Sequence, residues 1–541
     1  MMKKILAALL ASAMVVSSLA ACGSSDTTAA STESKEETTA ESKETETEET
    51  ETETEETDVP ETEPVTEEPA EKTHIVIYRT LYNRGSVDDD EVQAVEDELN
   101  ARLDAKGAGV EIEIHEIHNS EYADTANLAL AAGEMNILWN ASWWSTIGTD
   151  DIWRQNGAYD ITDLVAGTDL WNSMDEGIWE ASKYDGKILF IPVYKESYEG
   201  YDMKTPKVTM DKCGWTEEDF ADVHSLEDLE PFVKEAYEAG VEYPFDAYQY
   251  FYRYYLDYFD FFGGSSSLLA VDRETNEVVN AVDTDLYRDF CKLMGKWSDL
   301  GYIKEAFQTD DTAALASLTQ TDKWAFEPWT CVPGDELANS EERDQQEEYI
   351  IEGFTGKYIH STTTLGSCYT ITANCTEEEA KAAIEWLGYL YTDSEIADIY
   401  TFGIEGTDFE YVEADDGTTR VHCFDESTYN HSAWESTSIK ALTLLDNEPA
   451  DKIEDYEAKN GAAETSCAAG FRFDHSDEAI DAILAACENL NTTYGKKLET
   501  GAYGEAAVDA TIDEYLAALD EAGYQDLLAE AQRQYNEWKA E

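Results

Sequence analysis

Apolar residues follow two different periods along the chain from residue 73 to residue 140. The stretches HIVIYRT at 74–80 and VEIEIH at 110–115 have the pattern of strands. Between them, apolar residues recur at helical spacing: Val92, Val95, Leu99 and Leu103. A second helical stretch at 121–132 precedes an apolar run at 135–139. This order of strand, helix, strand, helix and strand predicts a parallel sheet in an α/β domain.

Helical patterns also recur through the rest of the chain. They cover residues 225–239, 283–300 and 312–319 and most of the C-terminal region. Thr376 and Glu379 have the spacing of a capping box, which predicts a helix from there to about residue 390. In open α/β sheets, ligands bind at the carboxyl ends of the strands. We therefore expect binding residues in the loops that follow the first three strands.

The N-terminus has the pattern of an export signal. Two lysines precede an apolar run at 5–16, which is too short to span a membrane. The run leads to LAAC at 19–22, which resembles the lipobox of bacterial lipoproteins; the alternative is an ordinary cleavage site followed by a chance cysteine. We predict a signal peptide at 1–21, lipidation of Cys22 and anchoring on the extracellular face of the cell membrane. Residues 22–72 would form a disordered acidic tether, because Thr, Glu, Ser, Ala and Pro bury no apolar surface.

Charge excludes several classes of partner. The 541 residues carry a formal net charge of −82 at pH 7. Nucleic acids and anionic lipid headgroups are bound by clustered Lys and Arg, so neither is an expected partner, and we expect membrane contact through the lipid anchor only. Repulsion of this size also favours a monomer. Neither a metal site nor a cofactor is predicted, because the paired ligands of a zinc cluster and a nucleotide-binding loop are absent from the sequence. The acid run at 88–91 fits the start of a helix, and a calcium ion is the alternative that stays open.

The aromatic content is high for so acidic a chain, with 13 Trp, 32 Tyr and 17 Phe. Aromatic rings stack on the flat faces of sugars, and carboxylates accept strong hydrogen bonds from hydroxyl groups. The composition therefore suits a carbohydrate cleft. The eight cysteines after Cys22 are scattered, and either disulfides or buried thiols fit their spacing.

Five separated strings carry a resemblance to a known family. Two of them, NGAYDITDLV at 156–165 and EASKYDGKILFIPVYKES at 180–197, are similar to the segment of extracellular solute-binding proteins that leads into the first hinge. GYIKEA at 301–306, the string at 374–409 that ends in YTFGIEGTDF, and LDEAGYQDLLAEAQRQYNEW at 519–538 follow in the order of that family. The chain resembles the sugar-type, family 1-like extracellular solute-binding lipoproteins of ABC transporters in Gram-positive bacteria.

The resemblance implies both a fold and a function. The fold is α/β of the periplasmic-binding-protein type II, with two lobes joined by a hinge of two or three crossing segments. Lobe 1 would hold residues 73–194 and 358–405, and lobe 2 would hold residues 195–357 and 406–541. The function is that of a receptor without enzymatic activity, which captures a carbohydrate such as an oligosaccharide between the lobes and delivers it to ABC permease subunits.

Ten residues are predicted to contact the ligand: Tyr82, Asn83, Trp143, Trp144, Tyr194, Glu196, Trp324, Glu327, Trp329 and Glu405. The adjacent Trp143 and Trp144 follow the third strand and could form a stacking platform. Glu196 has the spacing after Pro192 at which maltose-type relatives place an acid that contacts sugar, and Glu405 lies in a loop that faces the cleft in relatives. The alternatives are packing within the lobe for Trp143 and Trp144, a solvated hinge charge for Glu196, and a plug of the hinge for Trp324, Glu327 and Trp329.

Two further questions stay open from the sequence. Residues 243–262 contain twelve aromatics in twenty positions, which could form a sugar-stacking wall or, as we favour, an aromatic core. The rival functions are a surface glycoside hydrolase, which needs two carboxylates around a sugar site, and a binding protein for peptides or another nutrient, which needs a charged pocket.

Overall fold

The computed structural model describes residues 72–80, 89–144, 146–247, 251–256, 258–262, 268–309, 323–330, 332, 347–414, 416–424, 427–429 and 431–540. Several predicted features lie outside these residues: the signal peptide, the lipidated Cys22 and its tether, the binding residues Tyr82 and Asn83, and the helix at 312–319.

The strands, in chain order, are β1 (Thr73–Arg79), β2 (Val110–Glu116), β3 (Ile137–Asn140), β4 (Ile191–Pro192), β5 (Tyr198–Glu199), β6 (Asp202–Pro206), β7 (Tyr243–Phe245), β8 (Phe259–Phe261), β9 (Leu269–Asp272), β10 (Val278–Asn280), β11 (Trp324–Trp329), β12 (Glu348–Ile351), β13 (Tyr358–Ile359), β14 (Cys368–Ile371), β15 (Phe409–Glu413), β16 (Thr419–Cys423) and β17 (Glu464–Thr465).

The α-helices, in chain order, are α1 (Asp89–Lys106), α2 (Asn119–Ala132), α3 (Thr149–Arg154), α4 (Thr162–Val165), α5 (Asp169–Asn172), α6 (Glu176–Ala181), α7 (Lys207–Cys213), α8 (Leu226–Glu238), α9 (Phe251–Tyr255), α10 (Asp285–Asp299), α11 (Glu305–Thr309), α12 (Ser361–Thr364), α13 (Glu377–Thr392), α14 (Ser394–Phe402), α15 (Ala433–Ser436), α16 (Lys452–Ala462), α17 (Glu478–Leu490), α18 (Lys496–Glu499), α19 (Val508–Ala522) and α20 (Tyr524–Ala540).

A five-stranded sheet with the order β2-β1-β3-β14-β4 lies at the centre of the first lobe. Strand β1 pairs in parallel with β2 and β3, as the sequence pattern predicts, whereas β14 returns antiparallel to β3 and β4. Helix α1 buries the four apolar residues whose spacing predicted it. Helix α13 begins with the predicted capping box, in which the side chains of Thr376 and Glu379 each accept from the other residue's backbone N–H.

The second lobe contains two smaller sheets. One has the order β12-β6-β11-β7, and the other has the order β10-β9-β8. Helices α8 and α10 bury one apolar face each against the core of this lobe. The C-terminal helices α19 and α20 pack into the same core through residues such as Ile512, Tyr515 and Tyr535.

The buried apolar side chains of the described residues form two large hydrophobic cores. The first core is built from residues between Ile75 and Tyr194 and between Leu365 and Tyr456. The second core is built from residues between Tyr201 and Phe354 and between Ala468 and Tyr535. The chain therefore alternates between two packed bodies, which is the two-lobed α/β architecture that the sequence predicts.

Three short strands connect these bodies. Strands β5, β13 and β17 each leave one core and enter the other, and they pair with one another in a single three-stranded sheet of order β17-β13-β5. Within it, β13 runs parallel to β17 and antiparallel to β5. All three crossing segments of the described chain thus meet at one hinge.

The position of the third crossing differs from the expected lobe boundary at residue 405. Tyr429, Ile439 and Tyr456 pack in the first core, because the chain stays with that lobe beyond the hairpin of β15 and β16. We therefore propose the third boundary at Glu464–Thr465, where β17 joins the hinge sheet.

Two further observations bear on the expectations for the chain. Within the described ranges, no helix has the length and apolar character needed to cross a membrane. Six of the described cysteines carry free thiols: Cys213, Cys291, Cys368, Cys375, Cys467 and Cys487. Burial raises the pKa of each of these thiols, most strongly at Cys291 and Cys368, which disfavours the reactive thiolate.

Candidate ligand-binding site

A cavity of about 530 Å³ lies where the two lobes meet the hinge. It takes residues from the first crossing segment, from β11 of the second lobe and from the part of the first lobe that surrounds α15 and α16. Its described lining residues are Lys195, Glu196, Tyr201, Trp329, Thr330, Val332, Phe402, His431, Ser432, Ala433, Trp434, Ile439, Leu442, Thr443, Leu444, Leu445, Glu448, Lys452, Ile453 and Tyr456. Its size and position are those of a small-molecule site between domains.

The first crossing segment brings an ion pair to the cavity. The ammonium group of Lys195 is paired with the carboxylate of Glu196, and both side chains are largely buried. The backbone around them is fixed by Asn460 in α16, whose side-chain nitrogen donates to the carbonyl of Lys195 at 2.9 Å. The same side chain accepts from the backbone N–H of Ser197 at 2.8 Å. Asn460 therefore couples the first crossing segment to the helix that precedes the third.

An indole cluster forms the aromatic wall of the cavity on the first lobe. The ring of Trp434, which lines the cavity, meets the edge of Trp139 with ring centroids 5.9 Å apart. Trp143 lies 6.4 Å from Trp434 and stacks in parallel on Trp144 at 5.8 Å. The local fold holds this wall in place, because a capping box at Ser432 starts the short helix α15 that carries Trp434.

The two predicted tryptophans, Trp143 and Trp144, have different environments in this indole cluster. Trp143 is not among the described lining residues, but it keeps 42% of its surface exposed next to Trp434, and its indole nitrogen donates to the carbonyl of Gly366 at 2.7 Å. Trp144 packs beneath it against Tyr122 and Trp139 in the first core. An exposed, hydrogen-bonded ring backed by a second indole is a rigid surface on which a flat ligand can stack.

The second lobe contributes the opposite side through β11. Trp329 lines the cavity and is 46% exposed, and the ammonium group of Lys204 lies 5.6 Å from its ring centroid. Glu327 is partly buried two residues earlier on the same strand, so its side chain emerges on the same face of the sheet. Trp324 is only 4% exposed and packs in the second core. The structure thus brings Trp329 to the cavity and places Trp324 in the interior.

The cavity is closed on one side by the segment Leu442–Leu445 and by α16. Lys452 pairs with Glu448 across one turn, and both side chains are about 10% exposed. Beneath the segment, the buried carboxylate of Asp398 accepts from the backbone N–H of Thr443 and from the hydroxyl of Tyr411, each at 2.9 Å. Burial raises the pKa of Asp398 to about 6.

A buried charged network supports the cavity from the carboxyl ends of β1 and β2. Arg79 donates to Glu116 at 2.6 Å and to the carbonyl of Tyr400 at 3.0 Å. The imidazole of His431, which lines the cavity, lies 3.3 Å from the same Glu116 carboxylate. Burial alone would raise the pKa of Glu116, but His431 and Arg79 outweigh it and hold the pKa at about 2. His431 is thereby held in place by a permanently charged neighbour.

Two predicted contacts lie elsewhere. Tyr194 is 1% exposed in the first core, where its carbonyl accepts from the backbone of Ile439 at 3.0 Å and Lys440 covers its ring. It supports the cavity-lining Ile439 from behind. Glu405 is exposed in the turn before β15 and is not among the described lining residues. Its negative charge is one of those that raise the pKa of Arg102, so Glu405 lies on the side of the first lobe that carries α1.

Comparison with protein families decides the class of protein. The family of bacterial extracellular solute-binding proteins matches residues 98–407, which is more than half of the chain. The chain is a bacterial extracellular solute-binding protein. A second family model, a domain of unknown function, matches residues 467–540 at the C-terminal end of this solute-binding protein.

Relatives of known structure confirm the fold of this solute-binding protein. The N-glycan transport solute-binding protein of Streptococcus pneumoniae is similar with a TM-score of 0.73 at 22% identity, covering 86% of this chain and 99% of that one. A human-milk-oligosaccharide-binding protein from Bifidobacterium longum infantis matches with a TM-score of 0.56 at 15% identity, over 86% and 99% of the two chains. The predicted two-lobed α/β fold is thus confirmed.

A curated protein from Streptococcus pneumoniae is also similar in sequence. It is described as a carbohydrate ABC transporter substrate-binding protein and is 25% identical over 391 residues, which cover 71% of this chain and 77% of the relative. The resemblance to extracellular solute-binding proteins that the separated strings indicate is therefore confirmed for the family.

Sequence patterns missed much of the cavity of this solute-binding protein. Trp434, His431 and the segment Leu442–Leu445 come from a part of the chain that was expected in the other lobe. The string HSAWES offered one signal, because the capping-box spacing of Ser432 and Glu435 around a tryptophan predicts a fixed indole. Within the described residues, no group of three or more His, Cys, Asp or Glu could hold a metal ion.

Proposed function

We propose that this solute-binding protein captures an oligosaccharide in the interlobe cavity and passes it to the permease of an ABC importer. The observation that carries the proposal is that tryptophans from both lobes, Trp434 and Trp329, line one cavity, with the partly exposed ring of Trp143 packed beside Trp434. Sugars present flat C–H faces, which such rings cover, and a rim of hydroxyl groups, which Glu196, Glu448 and Ser432 can bind.

The relatives support the same substrate class. The curated relative is a carbohydrate ABC transporter protein, and the pneumococcal N-glycan transport protein has been solved in complex with Man1GlcNAc and with Man5GlcNAc. The three crossing segments that meet in one hinge sheet would let the lobes close on such a ligand. Permease docking, a monomeric state, anchoring through Cys22 and the absence of enzymatic activity belong to this proposal.

Calorimetric titration of the full chain tests the proposal directly. The Cys22→Ala variant removes the lipid acceptor, and the titrants are neutral oligosaccharides, including Man5GlcNAc, together with a set of short peptides. We expect saturable binding of at least one oligosaccharide, with the sugar recovered unchanged by chromatography. Binding of peptides with no response to any sugar would contradict the substrate class, and release of shortened sugars would indicate a hydrolase.

A further inference from the structure

We infer that the cavity selects neutral oligosaccharides and rejects those that carry carboxylates, an inference that rests on the proposed carbohydrate function. The starting observation is the charge of the lining. The described lining residues include two lysines, Lys195 and Lys452, and two acids, Glu196 and Glu448. Their formal charges therefore cancel. None of the described lining residues is an arginine, the residue whose guanidinium group binds a carboxylate through two parallel hydrogen bonds.

Each lining lysine is already engaged by a lining glutamate. Lys195 pairs with Glu196, and the two side chains are 8% and 14% exposed. Lys452 pairs with Glu448, and these side chains are 12% and 10% exposed. A carboxylate on the ligand would have to approach each ammonium group beside an existing negative charge in a poorly solvated place. It would lose its hydration without gaining an uncommitted cation, so its binding is disfavoured.

The cations just outside the lining are committed in the same way. Lys204, beneath Trp329, lies 3.4 Å from the carboxylate of Glu348, and Lys440, beside Ile439, lies 2.8 Å from Glu457. Arg79, behind His431, is held by Glu116.

His431 itself offers no better anchor for an anion. Its ring nitrogens face two carboxylates, Glu116 at 3.3 Å and Glu435 at 3.8 Å.

A neutral polyol meets none of these difficulties. Its hydroxyl groups can donate to the outward lone pairs of Glu196 and Glu448 and accept from the remaining N–H groups of the two lysines, so each ion pair becomes a hydrogen-bonding unit for a ligand without charge. The paired lysines therefore act as specificity determinants. They can still donate hydrogen bonds to hydroxyl groups, but their positive charge is neutralised by the paired glutamates and does not attract an anion.

Titration with matched sugars tests this inference. The probes are pairs of oligosaccharides matched in size: hexose oligomers with C6 as a primary alcohol or oxidised to a carboxylate, and sialylated glycans with the carboxylate free or converted to the neutral amide. The neutral member of each pair that binds is expected to bind at least tenfold more tightly than its acidic partner. Its affinity should change less than twofold between 20 mM and 500 mM salt, because no net charge is transferred into the cavity.

Variants of the two lining glutamates test whether the ion pairs cause this selectivity. Glu448→Gln and Glu196→Gln each release one lysine and should raise the affinity for the acidic probe relative to the neutral one by at least about fivefold. Glu230→Gln is the matched control, since Glu230 pairs with Lys296 at 2.6 Å outside the described lining, and it should leave the ratio unchanged. Equal or tighter binding of acidic probes by the native chain, or no change of ratio in both cavity variants, would overturn the inference. A chain that binds no glycan of either kind would instead remove the proposed function itself.

Discussion

Aromatic side chains have different roles in the core of the second lobe and at the cavity. In the second lobe, Phe245, Tyr252 and Phe261 come from the aromatic-rich stretch and lie in the core, where Phe245 meets Trp297 edge-on at 4.8 Å. At the cavity, the indoles of Trp434 and Trp143 touch each other but leave part of their surface uncovered. The density of aromatics along the chain therefore does not identify a binding surface. What matters is whether other side chains cover the rings.

The same contrast separates neighbouring residues of one strand. On β11, Trp324 packs in the second core and Trp329 is 46% exposed at the cavity. Their separation of five residues places them on opposite faces of a strand. A core ring should contribute to folding and a cavity ring to binding, and substitutions can test that division.

The largest expected effect is on stability, from the core of the second lobe. Phe245→Ala removes a fully buried ring and leaves a cavity beside Trp297, which should lower the free energy of unfolding by about 3–5 kcal/mol in chemical denaturation. Leu128→Ala is the control, because Leu128 is 74% exposed and should change stability by less than about 0.5 kcal/mol. A loss below about 1 kcal/mol in Phe245→Ala would contradict the assignment of the aromatic stretch to a core.

A buried polar group beneath the cavity should give the next largest effect. The ordinary pKa of an aspartate side chain is 3.8, and burial raises that of Asp398 to about 6. Between these values the folded chain keeps a proton that the unfolded chain releases, so the free energy of unfolding should fall as pH rises from about 4 to about 6. The full difference corresponds to roughly 3 kcal/mol.

Denaturation at a series of pH values measures this slope. Asp398→Asn removes the titrating group and should flatten the curve of stability against pH in that window, relative to the native chain. Glu116 titrates with the opposite sign and at lower pH, since its pKa is lowered to about 2, so the difference between native chain and variant isolates Asp398. Identical slopes in the two proteins would show that Asp398 does not stay protonated in the fold.

The effect on binding should be largest at the aromatic wall. Trp434→Ala removes a ring that lines the cavity and should weaken binding of the oligosaccharide by about tenfold, which corresponds to about 1.4 kcal/mol. Trp171→Ala is the matched control, because Trp171 stacks on Trp179 at 5.2 Å and is absent from the described lining. It should lower the melting temperature and leave the affinity unchanged. Equal affinities of the native chain and Trp434→Ala would place the ligand elsewhere.

How much of this the sequence could predict depends on the range of the interactions. The period of Val92, Val95, Leu99 and Leu103 and the capping box at Thr376 are local patterns, so they predicted α1 and α13 correctly. The parallel start of the first sheet also followed from the alternation of strands and helices. The site was harder to predict, because Trp143 reaches Trp434, and Glu196 reaches the cavity that Lys452 lines, only through the packing of distant segments.

The lobe boundary shows the same limit. The chain after residue 405 has no local feature that assigns it to one lobe. Its place in the first core follows from long-range packing, such as the hydrogen bond that Tyr429 accepts from Arg79, 350 positions earlier. The third crossing lies instead at β17, and a two-residue strand has no recognisable period.

The smallest expected effect concerns the hinge that relates the two lobes. Asn460→Ala removes the donor to the Lys195 carbonyl and the acceptor for the Ser197 N–H, which leaves two backbone groups of the first crossing segment without their side-chain partner. Lys195 and Glu196 would then be held less firmly, and the affinity should fall about three- to fivefold while the melting temperature changes by only a few degrees.

Asn489→Ala is the control, because Asn489 makes a comparable hydrogen bond to Ala485 on an exposed helix. Asn460→Asp should lie between the native chain and Asn460→Ala, since a carboxylate can still accept from Ser197 but cannot donate to Lys195. If both Asn460 variants bind like the native chain, the ion pair at the cavity does not depend on the hinge, and the aromatic walls alone would set the affinity.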